Sequence, residues 1–299
     1  MKTLASLLLG LFLAFGIPAQ AATFNVPAAV SQGRAFPVTV ADDRAFTIDF
    51  RWRGETLAVP ARQKADGSWE ASILLALPLD ARGRQTLKTV LNGEERTFSI
   101  TAKKVAWPQS VLSVPPRYVE PPASVREQIA RDRQHSRKAL ATRSERLWEL
   151  PLARPVPGGI TSPFGGRRVF NGTPRAPHMG TDLRSPEGSP VRAAADGIVL
   201  LAEPQYYGGS IVYLDHGQGV VSVYGHLSAF DVTPGERVQR GEVLGRSGST
   251  GRVTGPHLHF GLMVQGVAVD AMPLLSYPPQ TTGGPSRSLS DARPKKASR

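Results

Sequence analysis

The side chains best suited to metal chemistry fall in three short fragments: His178-Met-Gly-Thr-Asp182, Tyr224-Gly-His226-Leu and His257-Leu-His259-Phe. They hold four of the chain's six histidines and one carboxylate. Neutral imidazole is the commonest protein metal ligand, and a mixed nitrogen and oxygen set suits zinc. His257 and His259 are two apart, so on a strand they share a face, with Cα atoms ~6.6 Å apart. Leu258, Phe260, Leu262 and Val264 take the opposite face and read as core, which turns both imidazoles toward a cleft. His178 and Asp182 need another geometry, because four residues along a straight strand would part them by ~13 Å. They converge only if the chain bends, and Gly180 permits the bend, with His178 on a loop and Asp182 at a strand entry. HxxxD alone is a weak signal. Joined to HxH about 75 residues later, in a strand-rich domain, it becomes strong.

The elements that must position these groups are mostly strands. Residues 155–277 read as strands joined by glycine-rich turns, near 197–201, 210–215, 219–226, 243–245 and 257–264, with Gly217-Gln218-Gly219 closing a hairpin. Upstream, residues 22–104 alternate with a period of two: Phe36, Val38 and Val40, then Phe46, Ile48, Phe50 and Trp52, then Trp69, Ala71, Ile73, Leu75 and Leu77. Asp66-Gly67 and Asn92-Gly93 sit between such runs as hairpin turns whose residues need positive φ. This pattern predicts an immunoglobulin-like β-sandwich that binds or spaces and carries no chemistry of its own. Residues 105–154 form a connector, with Pro108, Pro115, Pro116, Pro121 and Pro122 in an extended link. A helix follows over about 123–148, its stripe formed by Val125, Ile129, Ser136, Leu140 and Leu147 and expected to pack on a domain. His135 lies among the arginines of that helix and takes no metal role.

The ends and the composition narrow the setting. Lys2, the apolar run from Leu4 to Ile17 and Ala19-Gln20-Ala21 read as a signal peptide over residues 1–21. An apolar core shorter than the ~20 residues of a membrane span favours cleavage over anchoring, so no transmembrane segment is expected in the mature chain. Residues 278–299, rich in Ser, Pro, Lys and Arg, read as a disordered basic tail. The absence of cysteine excludes disulfides, thiolate metal sites and a cysteine nucleophile. A net charge of +12 points to a polyanionic partner. No nucleic-acid-binding signature accompanies it, so anionic envelope polymers fit an exported protein better than nucleic acid.

Four segments also carry a family resemblance. His178-Met-Gly-Thr-Asp182-Leu, Pro190-Val-Arg-Ala-Ala-Ala-Asp-Gly197, Tyr224-Gly-His226-Leu-Ser and Ser249-Thr-Gly to Gly255-Pro-His-Leu-His-Phe260 resemble the lysostaphin/LytM-type zinc endopeptidases that cut peptidoglycan cross-links. The first domain and connector resemble, more weakly, the module that precedes the peptidase in some relatives. The resemblance implies a LytM-type, duplicated-hybrid-motif-like antiparallel β domain over 155–277. It implies one zinc ion per chain held by His178, Asp182 and His259, with water at the fourth position and His226 and His257 as a catalytic pair outside the metal's own ligands. It further implies peptidoglycan as partner and a periplasmic or extracellular wall location. Relatives often have glutamate after HLHF where this chain has Gly261, which bears on groove details rather than on the metal.

The mechanism this implies is metal-assisted peptide hydrolysis, in which zinc lowers the pKa of its water to ~7. There is no HExxH, so a histidine must handle the proton. His216, in Asp215-His-Gly, reads as a turn residue, with a catalytic role the lesser alternative. Arg167, Arg168 and Arg175 are candidates to touch acidic groups of a stem peptide, with ordinary exposed charges the equal alternative. A non-catalytic LytM-like protein that activates another wall hydrolase would be expected to lack one of the five site positions, and none is missing. A lipoyl- or biotinyl-type carrier is excluded, because no lysine occurs between Lys138 and Lys295. A non-haem iron centre could use the same ligand types, and metal analysis separates it from zinc.

Overall fold

The computed structural model describes residues 22–276, and the signal-peptide and tail readings lie outside them. The chain divides into two compact units, Met1–Val105 and Ala106–Arg299.

The first unit contains β1 (Thr23–Asn25), β2 (Ala29–Ser31), β3 (Arg34–Asp42), β4 (Thr47–Trp52), β5 (Glu55–Pro60), β6 (Arg62–Gln63), β7 (Trp69–Leu77), β8 (Arg84–Leu91) and β9 (Glu94–Lys103). They form two sheets, ordered β1-β3-β7-β6 and β2-β9-β8-β4-β5. Alternation explains the sandwich: Ile48, Phe50 and Trp52 are buried while Thr47 and Arg51 face water. Phe36 and Trp52 meet edge to face at 5.7 Å, and the indole N–H of Trp52 donates to the Ala76 carbonyl of the facing sheet at 2.9 Å. Asn92 and Gly93 take φ of 51° and 83°, as a tight two-residue turn demands. The Asp66-Gly67 turn is looser than predicted. Only Gly67 has positive φ, and Asp66 instead accepts hydrogen bonds from the Ser68 amide (3.0 Å) and hydroxyl (2.6 Å).

The second unit contains β10 (Gln109–Leu112), the helix α1 (Arg126–Leu140), β11 (Ile160–Ser162), β12 (Arg167–Phe170), β13 (Thr173–Arg175), β14 (Thr181–Leu183), β15 (Pro190–Arg192) and β16 (Gly197–Gln205). It continues with β17 (Gly209–Asp215), β18 (Val220–Phe230), β19 (Arg237–Val238), β20 (Val243–Ser247), β21 (Leu258–Val264) and β22 (Val267–Val269). The main sheet runs β11-β14-β21-β18-β17-β16-β19. Leu258, Phe260, Leu262 and Val264 are all buried, so β21 does put its apolar row inward. The β17–β18 hairpin closes through Gly217-Gln218-Gly219, all three with positive φ.

The connector departs from the sequence reading in two ways. β10 is a strand, not a free link. It pairs in parallel with β12, from Gln109↔Arg167 to Leu112↔Phe170, and extends the hairpin of the 164–177 loop. The helix spans Arg126–Leu140, much shorter than predicted. From Ser144 onward the backbone bonds instead to the β17–β18 turn: Gln218 N–H to the Ser144 carbonyl (2.8 Å) and Leu147 N–H to the His216 carbonyl (2.8 Å). These bonds need extended chain, and tertiary pairing overrides the local helical pattern. Ile129 and Ala139 are buried, and the helix packs against β16 and β17, with Ala139 on Ile211 and Tyr213.

Candidate metal centre

Asp182 and His259 are direct partners in the antiparallel β14–β21 ladder, and Gly225 of β18 faces His259 on its other side. His178 precedes β14 in the bend. His178 Nε2 lies 3.0 Å from Asp182 Oδ1, His259 Nδ1 lies 2.9 Å from that oxygen, and the two nitrogens are 3.1 Å apart. Ligands about 2.0–2.1 Å from a tetrahedral ion sit roughly 3.3 Å apart, so the three atoms fit one small cation with adjustments of a few tenths of an ångström.

The protonation pattern calls for a positive centre there. His178 Nδ1 is 3.0 Å from the Pro163 carbonyl, to which it donates, and burial pushes the His178 pKa down to about 4. The ring is therefore neutral at pH 7, and its Nε2 lone pair faces a carboxylate oxygen. Burial pushes the Asp182 carboxyl up, and a hydrogen bond donated by an imidazole lowers it; with the His178 N–H turned to Pro163, only His259 is left to donate. One proton on His259 Nδ1 could bridge these acceptors only as a bent, shared bond. A cation held by all three side chains satisfies each of them.

Gly180 serves a different purpose from the one its position suggests. It is not among the glycines with positive φ. A Cβ there would lie 2.6 Å from two ring atoms of His259 and 2.8 Å from the Phe260 carbonyl oxygen. Glycine is required because the ligand ring occupies that space. Gly180→Ala is expected to weaken metal binding at least about tenfold in chelator competition, comparable to losing a support of the ligands. Gly159→Ala, where a Cβ meets nothing within 4 Å, serves as the control and should leave the affinity unchanged.

Arg168, read from sequence as a substrate contact, is turned inward. Its Nη2 is 3.1 Å from Asp182 Oδ2, leaving Oδ1 to the two imidazoles. Burial lowers the Arg168 pKa and the charge of Asp182 opposes that. Arg175 donates to the Val119 carbonyl at 2.9 Å, and only Arg167 of the three is exposed. Partners that orient a ligating carboxylate are typically worth about 10- to 100-fold in metal affinity. Arg168→Gln is expected to show a loss of that size by chelator competition, and unchanged affinity would remove its orienting role.

His226 and His257 flank the triad. Their ring centroids are 4.9 Å apart, and His226 is 5.8 Å from His259. His226 Nδ1 donates to the Thr250 carbonyl and His257 Nδ1 to the Gly255 carbonyl, each at 2.8 Å. In the neutral tautomer these bonds select, each ring turns its bare nitrogen, Nε2, the other way, and that of His257 lies 3.6 Å from Asp182 Oδ1. β18 runs through His226 to Phe230, and the pairing with β17 shifts register there. His226 has φ of 65°, a strained conformation for a non-glycine residue, and the bulge re-aims its ring toward the centre. Burial, then the neighbouring charges of His259 and His257, push its pKa down to about 3.

His216 stands apart. It is fully buried, with Nδ1 donating to the Asp196 carbonyl (2.7 Å) and Nε2 2.7 Å from the Ser222 hydroxyl. Both nitrogens are occupied by structural partners. His135 lies 3.0 Å from Glu203, far along the chain from the triad and half exposed.

A β-sheet that brings His178, Asp182 and His259 together as a candidate metal site, with two further histidines beside it, fits a metallohydrolase. The profile of Peptidase family M23 matches residues 176–271. A crystal structure from Pseudomonas aeruginosa assigned to peptidase M23 is 30% identical, with a TM-score of 0.58 over 76% of this chain and 87% of that one. That likeness extends beyond the second unit. Peptidoglycan DD-endopeptidase ShyA of Vibrio cholerae is 46% identical over 114 residues, 38% of this chain and 26% of that protein. DD-carboxypeptidase/endopeptidase Mpg of Neisseria meningitidis is 42% identical over 124 residues, 41% of this chain and 28% of that protein. The chain belongs to peptidase family M23. It spans about a quarter of the length of the curated relatives it matches.

Proposed function

We propose that this chain is a zinc-dependent endopeptidase that hydrolyses cross-link peptides of bacterial peptidoglycan in the cell envelope. The observation that carries the reading is the meeting of His178 Nε2, Asp182 Oδ1 and His259 Nδ1 within 3.1 Å of one another, beside two histidines whose Nε2 atoms are free to take a proton. These three atoms would hold the metal, which when bound supplies an activated water and a Lewis acid for the scissile carbonyl. The chain's own residues do the rest. Arg168 fixes the Asp182 carboxylate, and the Pro163 carbonyl fixes the His178 tautomer. His226 and His257, locked by the Thr250 and Gly255 carbonyls, form the path by which the proton of the attacking water reaches the leaving amine. Burial keeps His226 a weak base that holds the proton only in passing.

All five site positions are present, which favours an enzyme over a wall-binding activator. The names of the relatives support peptidoglycan as substrate and a D,D bond as the one cut, which we read as the bond between D-alanine and a diamino acid. Export to the periplasm or wall follows from that substrate and from the signal-like residues 1–21. Among the described residues no helix is long and apolar enough to cross a membrane. The test is mass spectrometry of fragments released from defined muropeptides by purified protein, with metal analysis of the same sample. Release of free amine and carboxyl ends at the cross-link, with one zinc per chain, is the expected result. Stoichiometric iron would overturn the metal, and intact cross-links would overturn the activity.

A further inference from the structure

Among the described residues Arg252 is a cation without an anion. Its guanidinium lies 4.9 Å from the Phe170 ring centroid and 4.8 Å from that of Tyr207, so it is held between the β12–β13 hairpin and the β16–β17 turn. Its backbone N–H donates to the Tyr207 carbonyl at 3.0 Å, which fixes the base of the side chain. The residue is half buried, and burial followed by the charge of Arg168 pushes its pKa down. Among the described residues its guanidinium makes no hydrogen bond or ion pair. Acids bonded into the neighbouring segments have other partners: Asp182 has Arg168 and the imidazoles, Glu203 has His135, and Asp132 accepts from the Tyr206 amide at 2.7 Å. Aromatic faces attract a guanidinium but leave its planar fork of donors unsatisfied.

Its position ties it to the reacting centre. Arg168, which holds Asp182, touches the same Phe170 ring at 5.9 Å, and Thr250, two residues before Arg252, holds His226. With a divalent metal in place, the cluster linked through Phe170 and Asp182 would carry the metal and two guanidiniums against the single charge of Asp182. A carboxylate is the group that matches a half-desolvated guanidinium in charge and in fork geometry.

We propose that Arg252 binds a carboxylate carried on the same carbon as the leaving amine, and so selects substrates whose amine-side residue is acidic. The inference rests on the peptidase reading and names the substrate class of that site. Two chemistries supply such a group: a bridging diamino acid that keeps a carboxylate beside its acylated amine, and a terminal residue with a free α-carboxylate. A neutral bridge, amidated or lysine-type, offers none.

The experiment compares zinc-loaded full-length protein and Arg252→Gln on a diaminopimelate cross-linked dimer, on the same dimer amidated beside the scissile bond, and on a pentapeptide ending in two D-alanines. The unmodified protein is expected to prefer carboxylate to carboxamide by about 10- to 100-fold in kcat/KM, the range for a charge-assisted bond. In Arg252→Gln that ratio should fall to about one, with Arg252→Lys between. Faster cleavage of the dimer than of the pentapeptide places the carboxylate on the bridging residue, and the reverse places it on a terminal one. A ratio that survives in Arg252→Gln, or an equal loss on both dimers, would overturn the proposal and leave Arg252 a brace between loops. Calorimetric binding to zinc-loaded His257→Ala separates the two readings. A binding preference for carboxylate without cleavage by the unmodified protein supports the carboxylate site and sinks only the peptidase activity.

Discussion

His259→Ala is expected to lose both stoichiometric zinc and activity, with hydrolysis of a cross-linked dimer falling at least about 10⁴-fold, since metal-activated water supplies much of the barrier lowering in such enzymes. The size follows from the geometry. His259 would contribute one of three ligand atoms and sits between β14 and β18, bonded to the Asp182 oxygen that His178 also faces. With its ring gone, His178 Nε2 and Asp182 Oδ1 remain 3.0 Å apart in a buried site without the third donor. His178→Ala removes a different ligand and should produce the same loss. The readout independent of turnover is thermal stability with and without added zinc. Binding to the native state alone raises stability by RT ln(1 + [L]/Kd), about 2.7 kcal/mol at a hundredfold excess over Kd. The unmodified protein should show that shift, and either variant should lose it. Full activity in either variant would remove the ligand assignment.

Much of this centre was legible because strand periodicity is simple. His257, Leu258, His259 and Phe260 can alternate in only one way once the leucine and phenylalanine are assigned to the core, and both are buried. The same rule found the sandwich strands around Ile48 and Ile73. What the sequence hid depends on contacts between distant segments. Arg168 read as an exposed groove cation because its partner lies 14 positions away, and only the fold of the β12–β13 hairpin brings the two to 3.1 Å. Gly180 read as a hinge, when its role is to leave space for a ring 79 positions further on. β10 has a proline-flanked, weakly patterned sequence and exists because β12 offers it an edge. The helix was overextended for the converse reason. Nothing local in Arg143 to Trp148 opposes helix, and the carbonyls and amides of the 215–219 turn draw that segment out straight. The bulge at His226 has a faint local trace in the glycine before it, but the register shift belongs to the pairing with β17.

His257→Ala and His226→Ala are expected to keep one zinc per chain while losing about 10²- to 10⁴-fold in kcat, the usual worth of a positioned proton acceptor. Neither ring supplies an atom to the 2.9–3.1 Å ligand triangle, so chelator competition should return nearly unchanged metal affinity. The informative measurement is the double variant. The two rings are 4.9 Å apart, each with Nδ1–H committed to a backbone carbonyl, so both offer the same kind of lone pair to one small space. One hydrolysis moves one proton from water to amine. Groups that serve a single transfer lose it together, and their effects are far from additive. The double variant should therefore fall little below the worse single one. A multiplicative loss would show two separate tasks, with one ring taking the proton and the other stabilising the tetrahedral oxygen. Zinc lost from either single variant would move that histidine from the proton path to the metal.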